Sequence, residues 1–284
     1  MTSQLAKQLR FHLYMAQKEE NALLSVANCV DNYVPSQNPG RYGKSIQPCR
    51  NSHACFWCTP PRLRKQGQKL ADLISYWDRE GSVYVATFNL AFPSGTSLSE
   101  RYDYLRDCWS DLMSDSRAQK FRQTLSLKYV RVLEEYHQNG EWHPHFHVVF
   151  YVQPPEPFDS EDFSLDMRKL WASKAKGLGL HDTLSSLQHF AKFRSGTGDV
   201  LAKYLTKHGR VGLSLDLEGV DALNDKLPPL HLFQVGIGNG DSDALELWRE
   251  FQLGSYKKRR ISFSTAAKYD SDNIQEAKRL ARQD

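Results

Sequence analysis

Apolar positions recur at helical spacing through residues 4–30, where Leu5, Leu9, Leu13 and Ala16 are followed by Leu23, Leu24 and Val26, and this predicts one or two helices. NYVPSQNPGRYGK then has the breaker residues of a loop. Beyond Pro60-Pro61, LRKQGQKLADLISYW returns to helical spacing, and GSVYVATFNLAF, β-branched and aromatic between Gly and Pro, predicts a strand. SLSERYDYLRDCWSDLMSD reads as a helix with Ser97 or Ser99 as N-cap and Leu98, Leu105, Trp109 and Leu112 at helical intervals. SEDFSLDMRKLWASKAKGL predicts another helix, SLQHFAKFR a short strand, and GTGDVLAKYLTKH, from Gly196 to His208, a capped helix. From Asp216 the pattern weakens: PPLHLFQVGIGNG suits one strand, and the final residues a helix or a flexible basic end.

The clearest pattern is LSLKYVRVLEEYHQNGEWHPHFHVVFYV, two alternating runs around Asn139-Gly140. Asn-Gly favours a type I′ hairpin turn because both central residues need φ > 0. That turn sets a register: Gln138 opposite Glu141 brings Tyr136 opposite His143, Glu134 opposite His145 and Val132 opposite His147. Side chains two apart share a face of a strand, so His145 and His147 can hold one cation, with Glu134 or His143 completing the set. Imidazole and carboxylate with open positions suit a divalent transition metal, whose remaining positions take water or phosphate oxygen. The alternative is a pair of histidines packed on a sheet and hydrogen-bonded locally. A cupin-like site also uses His-x-His on a strand, but it needs a glutamate a few residues later, and Val148 to Gln153 offers no carboxylate.

Charge adds a second theme. The net charge of +4 is modest, but it is segregated. Asn32 to Ala71 has no acid and carries Arg41, Lys44, Arg50, Arg62, Arg64, Lys65 and Lys69; Ser116 to Leu133 is also acid-free and carries Arg117, Lys120, Arg122, Lys128 and Arg131. Thr183 to Leu215 sets the single acid Asp199 against Lys192, Arg194, Lys203, Lys207 and Arg210. Such runs are either solvated faces or the footprint of a polyanion. With 284 residues, 40% of them hydrophobic, the chain can bury a sizeable core, and it has no apolar run approaching the ~20 residues of a membrane span. The five cysteines are odd in number and three of them cluster, which favours reduced thiols or metal over a disulfide framework. A soluble protein of the cytoplasm is expected, with no membrane partner.

The cluster is PCRNSHACFWCTPPRLRKQ, C-x5-C-x2-C with a histidine inside it. Cys49, Cys55 and Cys58 supply three ligands for a tetrahedral structural Zn2+, and His53 or Cys29 could be the fourth, His53 being nearer in sequence. Zinc would fold a small arm and present Arg62, Arg64 and Lys65 to DNA. The alternative is a set of free buried thiols.

His145-Phe146-His147 resembles the signature of the HUH endonucleases, two histidines around a hydrophobic residue. The rolling-circle replication initiators of that superfamily, the plasmid and phage Rep proteins, carry a nucleophilic tyrosine later in the chain in a Tyr-x-x-Lys motif. Of the thirteen tyrosines, Tyr204 alone has lysine three residues on, in AKYLTKH, and i and i+3 are neighbours on a helix. VYVATFNLAF resembles the family's first strand motif, and the resemblance runs from about Cys49 to Arg210. Relaxases place the tyrosine before the histidines; here it follows them, although Tyr14 keeps the other order formally open. The resemblance implies an α+β HUH fold with a central antiparallel, ferredoxin- or RRM-like sheet and helices mainly on one face. It implies a domain layout of helical extension (1–45), cysteine-rich arm (46–70), nicking and joining domain (80–215) and C-terminal extension with a basic tail (216–284).

The implied activity is site-specific nicking and rejoining of single-stranded or cruciform origin DNA, with Mn2+ or Mg2+ and with host replication proteins such as a helicase. Tyr204 would be the nucleophile, forming a 5′-phosphotyrosine, with Lys207 on the same phosphate; His145, His147 and Glu134 or His143 would hold the metal, and Arg131, Lys203 and Arg210 would meet DNA. A glutamate four residues before the tyrosine, which some family members use at termination, is replaced here by Val200, and Asp199 lies roughly 140° round the helix from Tyr204. Two other readings stay open: a single-strand transposase or relaxase of the same superfamily, or a non-catalytic zinc-dependent DNA-binding regulator.

Overall fold

The computed structural model describes residues 59–153, 159–180, 189–193 and 239–281, with isolated positions between 229 and 236. In these residues the elements run α1 (Thr59–Glu80), β1 (Ser82–Phe88), α2 (Leu98–Ser114), α3 (Ser116–Thr124), β2 (Lys128–Glu134), β3 (His137–Gln138), β4 (Glu141–Trp142) and β5 (His145–Val152). They continue with α4 (Ser160–Gly177), β6 (His189–Lys192), α5 (Ser242–Ser255), β7 (Ile261–Phe263) and α6 (Thr265–Leu280). The expected N-terminal helices, the cysteine and histidine positions of the arm and the helix over 196–208 lie outside the described residues, while the arm's last residues, 59–70, are the start of α1.

The architecture is α+β. Five antiparallel strands pair in the order β6-β1-β5-β2-β7, and β3 and β4 pair separately as the tip of the long hairpin. Leaving that tip aside and taking α2 and α3 together as one helical crossover, β1 to β6 follow a β-α-β-β-α-β succession, to which β7 adds an outer strand. Two compact units divide the described residues: one holds those within 65–135, 144–193 and 260–281, and the other residues 59–64, the hairpin tip Tyr136–His143 and α5.

In the larger unit β5 is central, and every one of its residues is buried, which explains why HFHVVFYV is apolar without alternating. One face of the sheet carries Val83, Val130, Val132, Val149 and Tyr151, packed against Leu70, Leu73, Ile74 and Trp77 of α1 and Ala267 of α6. The opposite face carries Phe88, Phe146 and Phe150, packed on Trp109 of α2 and on Phe163 and Trp171 of α4. Helices therefore cover both faces, not mainly one as expected; a strand buried on both sides needs both layers. Gly81 joins α1 to β1 where a Cβ would come within 2.7 Å of the Val152 carbonyl oxygen, so no larger residue fits that joint without movement.

Local chemistry sets the element ends. Ser97, not Ser99, caps α2, and it does so in a reciprocal capping box with Glu100. Asp115 ends α2 and caps α3 through the Arg117 amide. Ser264 caps α6, and its hydroxyl also accepts the Tyr129 amide at 3.1 Å, so one side chain starts the helix and extends the β2–β7 pairing. The tail thus supplies both a strand and a helix to the sheet unit. At positions 232, 235 and 236, where a strand was expected, the chain is helical. In the smaller unit the Trp142 indole donates to Glu250 at 2.8 Å and stacks on Phe251 of α5.

Candidate metal centre

Asn139 and Gly140 take φ of 53° and 79°, the positive values a type I′ turn requires. Gln138 pairs with Glu141 in the tip, and in the sheet Glu134 pairs with His145 and Val132 with His147. The register expected from the turn is the register observed. Because β2 and β5 alternate in step, Glu134, His145 and His147 project from the same face as Val132 and Val149.

Their polar atoms converge. His147 Nε2 lies 2.5 Å from Glu134 Oε2 and 3.2 Å from His145 Nε2, and His145 Nε2 is 3.6 Å from the same carboxylate oxygen. All three side chains are buried, at 6%, 7% and 5% exposure for Glu134, His145 and His147. Two imidazole nitrogens each ~2.1 Å from one ion, at bond angles of 90–109°, stand roughly 3.0–3.4 Å apart. The observed nitrogen separation of 3.2 Å fits that span, whereas Glu134 Oε2, 2.5 Å from His147 Nε2, is closer than two ligands of one ion stand and would have to move outward to become the third. Among the described residues this is the group of histidine, cysteine and acidic side chains arranged to hold a metal ion, its ligand atoms all within 4.8 Å of one another. Glu134, beside both rings, would bring negative charge to an ion held between the three groups.

A fourth side chain borders the group. Thr87 pairs across β1 with His147, and its hydroxyl lies 3.0 Å from His147 Nδ1. On the far side of β1, His189 occupies the β6 position paired with Thr87, in the same row of the sheet. Thr87 was not anticipated, because nothing local in GSVYVATFNLAF says which strand it will lie beside.

His143 takes a different place from the one expected. Its ring stacks on Tyr136 at 5.1 Å, its Nε2 lies 3.2 Å from the Gln138 carbonyl oxygen, and its backbone N–H bonds the Tyr136 carbonyl oxygen. It serves the hairpin tip, and the metal-type group forms from the other three residues. Arg131 stands on the opposite face of β2 from Glu134, its guanidinium 4.2 Å from the Phe146 ring centre and 5.3 Å from that of Trp109. Burial pulls its pKa down to about 10, so it remains charged at neutral pH. Arg62, Arg64 and Lys65 are exposed on the first turns of α1. Tyr204, Lys207, Lys203, Arg210, Asp199, Cys49, His53, Cys55 and Cys58 lie outside the described residues.

No family model, curated protein or solved structure matches the chain. Among the described residues no helix is long and apolar enough to cross a membrane.

Proposed function

We propose that the protein is a metal-dependent endonuclease that nicks and rejoins single-stranded DNA at a replication origin, with Tyr204 as nucleophile. The observation that carries this reading is the meeting of Glu134, His145 and His147 on one sheet face, in the register set by the Asn-Gly turn. The β-α-β-β-α-β succession is compatible with the ferredoxin-like HUH fold, whose motifs His145-Phe146-His147 and Tyr204-x-x-Lys207 resemble.

Within this proposal each residue has a defined task. Glu134, His145 and His147 hold an ion such as Mn2+ or Mg2+, which when bound polarises the scissile phosphate and offsets its growing charge. The Tyr204 hydroxyl, with a pKa ordinarily near ~10, loses its proton as its oxygen attacks phosphorus. The bond from phosphorus to the 3′ oxygen breaks, that oxygen leaves as a 3′-hydroxyl after taking a proton, and the 5′-phosphate stays on Tyr204. Lys207 steadies the phosphate oxygens. The new ester keeps the energy of the bond it replaced, so a 3′-hydroxyl can reverse the step and rejoin the strand. Zn2+ held by Cys49, Cys55, Cys58 and His53 would shape the basic arm.

The test is incubation with a labelled single-stranded origin oligonucleotide and Mn2+. A covalent protein–DNA adduct is expected from the wild type and none from Tyr204→Phe. Salt-sensitive binding with no adduct would instead identify a DNA-binding regulator, and an adduct that survives Tyr204→Phe would remove that tyrosine from the reaction.

A further inference from the structure

The Thr87 hydroxyl lies 3.0 Å from His147 Nδ1, while the other nitrogen of that ring faces Glu134. A neutral imidazole carries a proton on one nitrogen and a lone pair on the other. His147 Nε2 lies 2.5 Å from Glu134 Oε2, close enough to share one proton, and when the carboxylate is ionised and the ring neutral that proton belongs to Nε2, because an ionised carboxylate only accepts. Nδ1 is then the acceptor, and the Thr87 hydroxyl donates to it.

Coordination demands the reverse. To bind a cation, Nε2 must present its lone pair, so the proton has to reside on Nδ1, and the N–H there needs an acceptor in a buried site. A hydroxyl can meet both demands, since it has one donor and two lone pairs and rotates about its C–O bond. A carboxylate or backbone carbonyl beside Nδ1 could only accept, which would commit the ring to the metal-ready tautomer. A valine could do neither.

We propose that Thr87 is a positioning residue that serves both tautomers of His147, letting Nε2 exchange its hydrogen bond with Glu134 for a bond to the metal. This rests on the reading of Glu134, His145 and His147 as a metal centre. The ring keeps its place while its proton moves from one nitrogen to the other, and Glu134 Oε2, released by Nε2, becomes the third ligand.

The experiment compares Mn2+ binding by titration calorimetry for the full chain, Thr87→Val, Thr87→Ser and His147→Ala. Thr87→Val keeps the side-chain shape and is expected to weaken binding by about 10–100-fold, the usual effect of removing a ligand's outer hydrogen-bond partner, while Thr87→Ser restores it to within a few-fold of wild type. Imidazole 15N spectra of the wild-type protein give a second reading that needs no variant to fold. They should show the His147 proton on Nε2 without metal and on Nδ1 with bound Zn2+. Wild-type affinity in Thr87→Val, no rescue by Thr87→Ser, or one unchanged tautomer in both states overturns the role of Thr87 alone. Failure of the wild type to bind Mn2+ any better than His147→Ala overturns the metal centre and this inference together.

Discussion

Replacing Glu134 by Gln removes the charge between His145 and His147 and keeps the shape. Since the carboxylate oxygen lies within 3.6 Å of both rings, its charge is the main attraction for a cation there. Glu134→Gln is expected to lower Mn2+ affinity at least tenfold by calorimetry, and His147→Ala to lower it further. Arg131 answers to different physics: its guanidinium lies on the rings of Phe146 and Trp109, so Arg131→Met should cost about 0.5–2 kcal/mol in urea unfolding, the range of a partly desolvated cation–π contact. The metal-type residues were legible in the sequence because all of them hang on one local rule, the register of an Asn-Gly hairpin. Thr87 was not legible, since its neighbour His147 is brought to it by pairing between strands far apart in the chain. The expectation for His143 failed for a local reason, because the strand breaks between β4 and β5 and its ring turns to Tyr136.

At the scale of elements the hairpin turn is the most sensitive point. Gly140 has φ of 79°, and Gly140→Ala should cost roughly 1–2 kcal/mol for placing a Cβ in the left-handed region. Thermal unfolding would read that loss, and calorimetry should show weaker Mn2+ binding, because the turn holds Glu134 in step with His145. A similar loss of ~1 kcal/mol is expected from Ser97→Ala, which removes the capping box of α2. Helices with a broad apolar face, α1, α2 and α4, were legible in the periodicity. The short α3 buries only Ala118, so it shows no stripe, and β7 has three residues, too few for alternation to register. Their places come from neighbours: Lys174 of α4 reaches Asp115 at the head of α3, and β2 recruits β7.

For the whole molecule the tail matters more than its composition implies. Asp270 of α6 accepts from the Trp77 indole at 2.9 Å and from the Lys128 ammonium at 2.7 Å, and Asp72 of α1 accepts from Lys278 and Gln275 of α6. Deleting residues 260–284 should bare the edge of β2 and the apolar face under α6, and the expected result is aggregation, seen as loss of the full-length protein's elution peak in size-exclusion chromatography. Burial pushes the Asp72 carboxyl up, but hydrogen bonds from Lys278, Gln275 and Gln68 outweigh it and hold the pKa below the ordinary 3.8. With the folded value depressed, this contribution is complete above that ordinary value and fades as pH falls through the folded one. Asp72→Asn should therefore flatten the acid limb of a stability–pH curve and leave its shape near neutrality unchanged.

Glu134, His145 and His147 all belong to a single hairpin, and that has a kinetic corollary. Hairpins close in roughly 1–10 μs, whereas a sheet that must gather strands from distant parts of the chain completes later. The ligands can therefore come together before the last strand docks, and a cation present at that moment staples an unfinished chain. Stopped-flow refolding begun with Mn2+ in the buffer should run faster than refolding to which Mn2+ is added at the end.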